Sequence, residues 1–243
     1  MLKPTDLFNP PPIGCVLSLS GKPQGGTNLW DSSPYGNHGT IYGATWVRLP
    51  SGLWCLSYDG VDDYVDCGSG NGLKLISSLS LTAWIKKASP WNGSHAHYHQ
   101  IISKDSIYDN GYGLTVYERS VDTSVKFTIW IRSGDVFTNA EYYLPQAQWS
   151  ISAFAFFGGV FNDEANELKV YLNGELKATL SEVTITPADT DFPLYIGWSR
   201  RKTEVDSNKP FDGLIAKACI YNRALSALEI QNRYNQTKHL FRE

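Results

Sequence analysis

The chain has 243 residues, of which 42% are hydrophobic, 13% aromatic and 19% charged, with 21 glycines against 12 prolines. That balance excludes disordered and fibrous chains and fits one large all-β domain. Lysine and arginine total 21 against 24 aspartates and glutamates, a formal charge of −3 with no basic run, so nucleic acid is not an expected partner.

The chain opens Met1-Leu2-Lys3-Pro4-Thr5-Asp6, which lacks the pattern of a signal peptide. Pro10-Pro11-Pro12 cannot join a central strand, because proline brings no amide to the ladder. Residues 1–13 therefore read as an extended arm ahead of a domain over 14–243. No apolar stretch reaches the roughly 18 residues of a membrane helix, so membrane insertion is not expected.

Further along, short runs of β-branched and aromatic residues stop at Asp59-Gly60, Asn71-Gly72, Asn92-Gly93, Asn110-Gly111, Asn173-Gly174 and Asp212-Gly213, dipeptides that suit hairpin turns. A hairpin at residues 59–63 would set Cys55 opposite Cys67, either as a disulfide or as two buried thiols. The cysteines at 15, 55, 67 and 219 lack the C-x-x-C spacing of zinc or redox sites.

Alternation then assigns faces, because successive strand side chains point to opposite sides of a sheet. Leu79, Leu81, Ala83 and Ile85 face inward, which turns Trp84 outward. Tyr112, Leu114 and Val116 face inward with Tyr117 and Arg119 outward, and Phe127, Ile129 and Ile131 inward with Trp130 and Arg132 outward. In 168–180, Leu168, Val170 and Leu172 alternate with Lys169 and Tyr171 before Asn173-Gly174 turns the chain back. Such alternation belongs to half-buried antiparallel sheets rather than a doubly wound parallel one. Ser226-Ala227-Leu228-Glu229 reads as a capping box opening a short C-terminal helix, with Leu225, Leu228, Ile230 and Tyr234 as its apolar face.

Several phrases follow one another in a fixed order: 29-LWDSSPYGNHGT-40, 56-LSYDGVDDYV-65, 81-LTAWIK-86, 170-VYLNG-174, Ile196-Gly197 and 211-FDGLI-215 running into 220-IYNRALS-226. Over about residues 14–238 this resembles the laminin-G-like, concanavalin A-like jelly-roll domains. The resemblance implies an all-β, antiparallel two-sheet jelly-roll sandwich with first and last strands adjacent, in agreement with the alternation. Its relatives include lectins, pentraxins, adhesive modules, glycoside hydrolases and polysaccharide lyases, so function must come from the site.

Four candidate chemistries follow. Catalysis by paired carboxylates, as in related hydrolases with a Glu-x-Asp-x-x-Glu strand, finds no such motif; Asp163, Glu164 and Glu167 cluster in a loop-like stretch instead. Calcium would take oxygens from Asp31, Asn37, Asp59 and Asp62, residues that serve equally well as turn caps. Relatives usually carry an aspartate after the isoleucine of the last strand, and here that position is Ala216. His95, His97 and His99 would share one face of a strand and offer imidazoles to zinc or nickel, or else be solvated loop residues. Finally, Trp84, Tyr117, Trp130, Arg132 and Tyr171 make an outward aromatic and polar set suited to sugar rings, or else to packing under a loop or a neighbouring subunit.

The reading is a non-catalytic recognition, adhesion or assembly module for a glycan or surface protein, with calcium as the candidate cofactor. An extracellular or virion-associated setting is expected, as a virion decoration or fibre protein, with the arm joining a larger particle or homo-oligomer. The alternative is a glycoside hydrolase or polysaccharide lyase whose catalytic residues are dispersed over several strands.

Overall fold

The computed structural model describes residues 13–19, 26–88, 97–105, 110–118, 124–149, 153–199 and 208–242. The strands begin with β1 (Cys15–Leu19), β2 (Asn28–Leu29), β3 (Gly39–Tyr42), β4 (Thr45–Arg48), β5 (Trp54–Asp59) and β6 (Tyr64–Asp66). Next come β7 (Leu79–Lys87), β8 (His97–Asp105), β9 (Asn110–Glu118), β10 (Ser124–Ser133) and β11 (Val136–Pro145). After them follow β12 (Ala155–Asn162), β13 (Glu167–Leu172), β14 (Glu175–Leu180), β15 (Leu194–Ile196), β16 (Asn208–Lys209) and β17 (Asp212–Tyr221). Helix α1 (Ala227–Thr237) and a 3-10 turn (Lys238–Phe241) close the described chain.

These strands form two sheets, one ordered β14-β13-β12-β7-β17-β5-β4 with β1 paired to β17, the other β11-β10-β9-β8-β15-β6-β3-β2 with β16 paired to β8. All pairings are antiparallel except the short β16–β8 one, and the first and last strands lie side by side. The fold is the two-sheet jelly-roll sandwich with a short C-terminal helix that the alternation and the family resemblance predict.

The alternating residues meet where expected. Leu81, Ala83 and Ile85 of β7 and Leu168 and Val170 of β13 pack against Leu114 of β9 and Phe127 and Ile129 of β10. Phe127 and Phe157 meet edge to face at 5.1 Å between the sheets. Each such side chain contributes about 1.5–3 kcal/mol through burial, which is why a strand of this pattern cannot slip by one residue without exposing its whole apolar set.

Turn chemistry is less uniform than the dipeptides imply. Asn173-Gly174 does make the β13–β14 hairpin, with both residues at positive φ, 53° and 81°. Asn71-Gly72 lies in a 3-10 turn, whereas Asn110-Gly111 and Asp212-Gly213 sit inside strands. Asn92-Gly93 lies outside the described residues. At Asp59-Gly60 the chain crosses from one sheet to the other, since β5 and β6 belong to different sheets. Cys55 consequently points into the outer apolar layer and Cys67 into the core between the sheets, and both are free buried thiols.

The capping box forms as expected, Ser226 Oγ accepting from the Glu229 amide while the Glu229 carboxylate accepts from the Ser226 amide. Helix α1 buries Ile230 and is preceded by buried Leu225, but Leu228 points to solvent and does not belong to the apolar face. Together with the 3-10 turn, the helix covers the outer face of the eight-stranded sheet and builds a second apolar layer there. Trp84, Phe156, Tyr171, Tyr221, Leu240 and Phe241 all belong to this layer.

Candidate recognition face

The five residues predicted to share one exposed surface fall on opposite sides of the sandwich. Trp84 and Tyr171 stand on the outer face of the eight-stranded sheet, 3% and 2% exposed beneath the C-terminal elements. Trp84 stacks on Phe241 at 4.2 Å and on Tyr234 at 5.6 Å, and its indole N–H donates to Thr237 Oγ1 at 3.0 Å. For these two the packing reading holds, because alternation fixes only the side of the sheet and not what comes to lie on it.

Tyr117, Trp130 and Arg132 do share a surface, the outer face of the nine-stranded sheet. Register aligns it in rows. Asn139, Trp130, Gly113, Ser103, Tyr195, Asp66 and Thr40 are successive partners across seven strands. With strands about 4.8 Å apart, Trp130 and Tyr195 stand about 14 Å from each other. The Trp130 indole lies flat over Gly113, where a Cβ would come within 2.5 Å of the ring. A flanking row holds Lys126, Tyr117 and Tyr98, and another holds Phe137, Arg132, Gly111 and Asp105.

The aromatic side chains of this face pair with one another. Tyr98 stacks on Tyr117 at 4.0 Å, Trp130 on Phe137 at 6.1 Å, and Tyr42 on Tyr64 at 4.7 Å, with Trp198 against Tyr64 at 5.0 Å. Cations lie over two of them, Lys126 Nζ 5.1 Å from the Tyr117 ring and the Arg132 guanidinium 5.4 Å from Phe137. Trp130, Thr115 and Gln100 are buried in the middle of the face, while Tyr42, Phe137 and Tyr143 are exposed and Tyr64, Tyr98, Tyr117 and Trp198 half-exposed around it.

Polar groups on the face are oriented by a chain of donors. The Trp130 indole N–H, which can only donate, gives its proton to Thr115 Oγ1 at 2.9 Å; Thr115 in turn donates to Gln100 Oε1 at 2.6 Å. The Gln100 carboxamide is thereby held with its NH₂ group turned away from Thr115. Glu141 accepts from Lys126 Nζ at 2.6 Å, from the Tyr143 hydroxyl at 2.6 Å and from Asn139 Nδ2. Burial opposes its charge, but these donors outweigh it and hold the carboxyl below its ordinary range.

The four predicted metal ligands do not converge. Asp31 Oδ1 accepts from the amides of Ser18 and Ser33, each at 2.8 Å, and Oδ2 from Ser33 Oγ at 2.6 Å and the Asn37 amide at 2.8 Å. Asn37 Nδ2 donates to the Val16 carbonyl at 2.8 Å. Both residues pin the 31–37 loop to β1, and the Asp31 oxygens are occupied. Asp59 and Asp62 come together with Asp63, which sequence reasoning passed over, with one oxygen of each within 4.8 Å of the others. Asp63 Oδ2 accepts from the Asp59 amide, and burial pushes its carboxyl above the usual range.

His95 lies outside the described residues, as does the His97 side chain. His99 does not face solvent: it is buried between the sheets, Nδ1 donating to the Pro210 carbonyl at 3.1 Å and Nε2 3.5 Å from Glu118 Oε2. Glu118 also meets Lys87 Nζ at 2.5 Å, so that a buried ion pair joins β7 to β9 with the His99 ring of β8 beside it. Asp163 and Glu164 occupy the turn between β12 and β13, and Glu167 pairs with Lys169 at 2.6 Å.

A sandwich of two antiparallel sheets whose ends meet through β1 and β17, with one sheet face left to aromatic and polar side chains, defines a jelly-roll of lectin type in architecture. The chain belongs to the Concanavalin A-like lectin/glucanases superfamily, whose laminin G model matches residues 59–231. Solved structures of similar fold include the binding domain of Paraclostridial Mosquitocidal Protein 1, at TM-score 0.67 and 13% identity, covering 91% of this chain and 52% of that one. Another is the botulinum neurotoxin serotype D binding domain, at TM-score 0.64 and 19% identity, covering 91% and 50%. A third is the serotype D ligand binding domain in complex with N-acetylneuraminic acid, at TM-score 0.65 and 18% identity, again covering 91% and 50%. At such identities the likeness is one of fold, and this chain spans about half the length of those solved chains. No curated protein sequence matches. No described helix is long and apolar enough to cross a membrane.

Proposed function

We propose that this protein is a non-catalytic recognition module that binds a glycan through the outer face of its nine-stranded sheet. The observation that carries the reading is the grouping of the accessible rings of Tyr98–Tyr117, Phe137 and Tyr42–Tyr64–Trp198 on one surface around the buried Trp130, beside Asn139 and Arg132. Flat rings take the C–H faces of sugars, and amide and guanidinium groups take the hydroxyls. One solved structure of similar fold holds N-acetylneuraminic acid, which supports a sugar as the ligand class.

The carboxylates of this face argue for binding over hydrolysis. Glu141 is kept ionised with its oxygens occupied, the reverse of a general acid. We further propose adhesion or assembly on a cell or particle surface as the use of such binding, and calcium, if bound, at Asp59, Asp62 and Asp63 rather than at Asp31 and Asn37.

The test is a glycan array followed by calorimetry on the best hit with wild type, Tyr117→Ala and Trp198→Ala. Each variant should keep the wild-type melting temperature to within a few degrees and lose at least about tenfold in affinity. Unchanged affinity in both, or turnover of the bound glycan, would refute the reading. Calcium at the acidic cluster should raise the melting temperature of wild type but not of an Asp62→Asn variant; equal response of the two removes calcium from the proposal.

A further inference from the structure

On the other side of the sandwich, folding leaves a hollow. Beside the joint between helix α1 and the 3-10 turn, these two elements and residues 153–154 border a cavity of about 440 Å³ next to Trp84 of β7. Small-molecule sites have about this size, ~300–1,000 Å³. Trp84, Phe154, Tyr234 and Phe241 wall it, and Lys238 and Arg242 stand at it. The walls are set by packing. Trp84 stacks within 16° of parallel on Phe241, Phe154 meets Phe241 at 4.9 Å, and the Trp84–Thr237 hydrogen bond fastens the joint between helix and turn. Such walls bring little conformational cost to binding.

The charge at this hollow runs against the bias of the chain. The protein as a whole carries −3, yet among the described residues no aspartate or glutamate lines the hollow. Lys238 Nζ lies 5.3 Å from the Tyr234 ring and, among the described residues, donates to the neutral Asn235 amide oxygen at 2.8 Å. Lys86 Nζ lies 5.9 Å from the Phe154 ring. Lys238 alone would be accounted for by the negative end of the α1 dipole. Arg242 lies beyond the helix and Lys86 on a strand, so the dipole explains neither.

We propose that this cavity is a second ligand site, separate from the glycan face, for one small organic anion: a flat apolar body seated on Tyr234 over the buried Trp84–Phe241 stack, with a carboxylate or sulfonate directed to Lys238 and Arg242. Apolar walls supply affinity without direction, and the paired cations select the charged end.

The probe is 8-anilinonaphthalene-1-sulfonate, titrated by fluorescence against the folded protein, with neutral N-phenyl-1-naphthylamine as its uncharged counterpart. The sulfonate should bind saturably at one site, about tenfold or more tighter than the neutral dye at low salt, and the difference should shrink as salt approaches ~0.3 M. Lys238→Ala/Arg242→Ala should weaken the sulfonate by about tenfold or more, and Ala153→Phe, which adds a ring at the cavity's edge, should weaken both dyes. Glycan found on the array should not displace the dye, so failure of either site is told apart from failure of the other. Absence of saturable binding, equal affinity for the two dyes, or displacement by that glycan would overturn the proposal. The dye comparison and salt series need no substitution and decide the matter even where a variant unfolds.

Discussion

Replacing Lys87 by methionine tests the physics of the sandwich most directly, because the ammonium is 6% exposed and lies 2.5 Å from a Glu118 carboxylate that is itself 3% exposed. At an effective dielectric of about 20, their attraction is about 7 kcal/mol, an upper bound from which the cost of removing both charges from water must be subtracted. Burial opposes ionisation of Glu118, but the His99 ring and Lys87 outweigh it and hold the carboxyl below its ordinary range. Without Lys87, the partner left to the carboxylate among the described residues is the His99 ring, 3.5 Å away. Breaking such a pair costs about 3–5 kcal/mol, which lowers the melting temperature of a chain of this size by about 10 °C.

Two further results would identify the cause. In the Lys87→Met/Glu118→Gln double variant an amide can donate to His99 Nε2 with no buried charge left over, so more than half of the loss should return. The deficit of the single variant should also depend on pH. A folded carboxyl below its unfolded value contributes stability that is present above about pH 4.5 and lost as pH falls through the folded value. In Lys87→Met burial acts with less opposition, and protonation relieves it; the gap from wild type should be widest near neutral pH and narrow in acid. Urea denaturation at about pH 7 and about pH 4 measures this. A loss under about 1 kcal/mol at pH 7, or one independent of pH, would show that the pair does not hold the sheets together.

Three other outcomes are expected. Trp84→Ala should cost about 3–5 kcal/mol by calorimetry while leaving glycan affinity untouched, since the ring is core; reduced affinity in the folded variant would place it in the site. Lys104 is buried, and desolvation lowers its amine to about 8 although its Nζ donates to the Phe192 carbonyl at 2.6 Å. The unfolded chain holds that proton up to about pH 10.5, so wild-type stability should gain a contribution rising with pH between about 8 and 10, absent in Lys104→Met; identical pH profiles would refute it. Ser226→Ala removes the acceptor of the Glu229 amide and should cost about 1 kcal/mol in thermal unfolding, with Ser226→Asp restoring most of it.

The inward residues of β7, β9, β10 and β13 and the capping box of α1 were legible because each depends on chain neighbours alone: strand side chains alternate, and a cap reaches three residues. Asn173-Gly174 turned for the same local reason. Asp59-Gly60 has equal turn chemistry yet joins two sheets, because its flanking strands find their partners elsewhere, β5 beside β17 and β6 beside β15 and β3. Asp31 shows the same limit at a site: its oxygens are claimed by amides of Ser18 and Asn37, thirteen and six residues away, and no spacing rule discloses that.

By itself, the order of residues determined which side chains share a face and hence that two greasy layers would press together, since that follows from a period of two. Tertiary structure decided which outer face stays available. Trp84 and Trp130 read alike in their strands and both are buried, but α1 comes down on the first, while register across six strands sets the second in a row with residues 139, 113, 103, 195 and 66, on a face that carries the exposed rings of Tyr42, Phe137 and Tyr143. Such a row has no counterpart along the chain, because pairing between distant strands is set by the whole core rather than by any one of them.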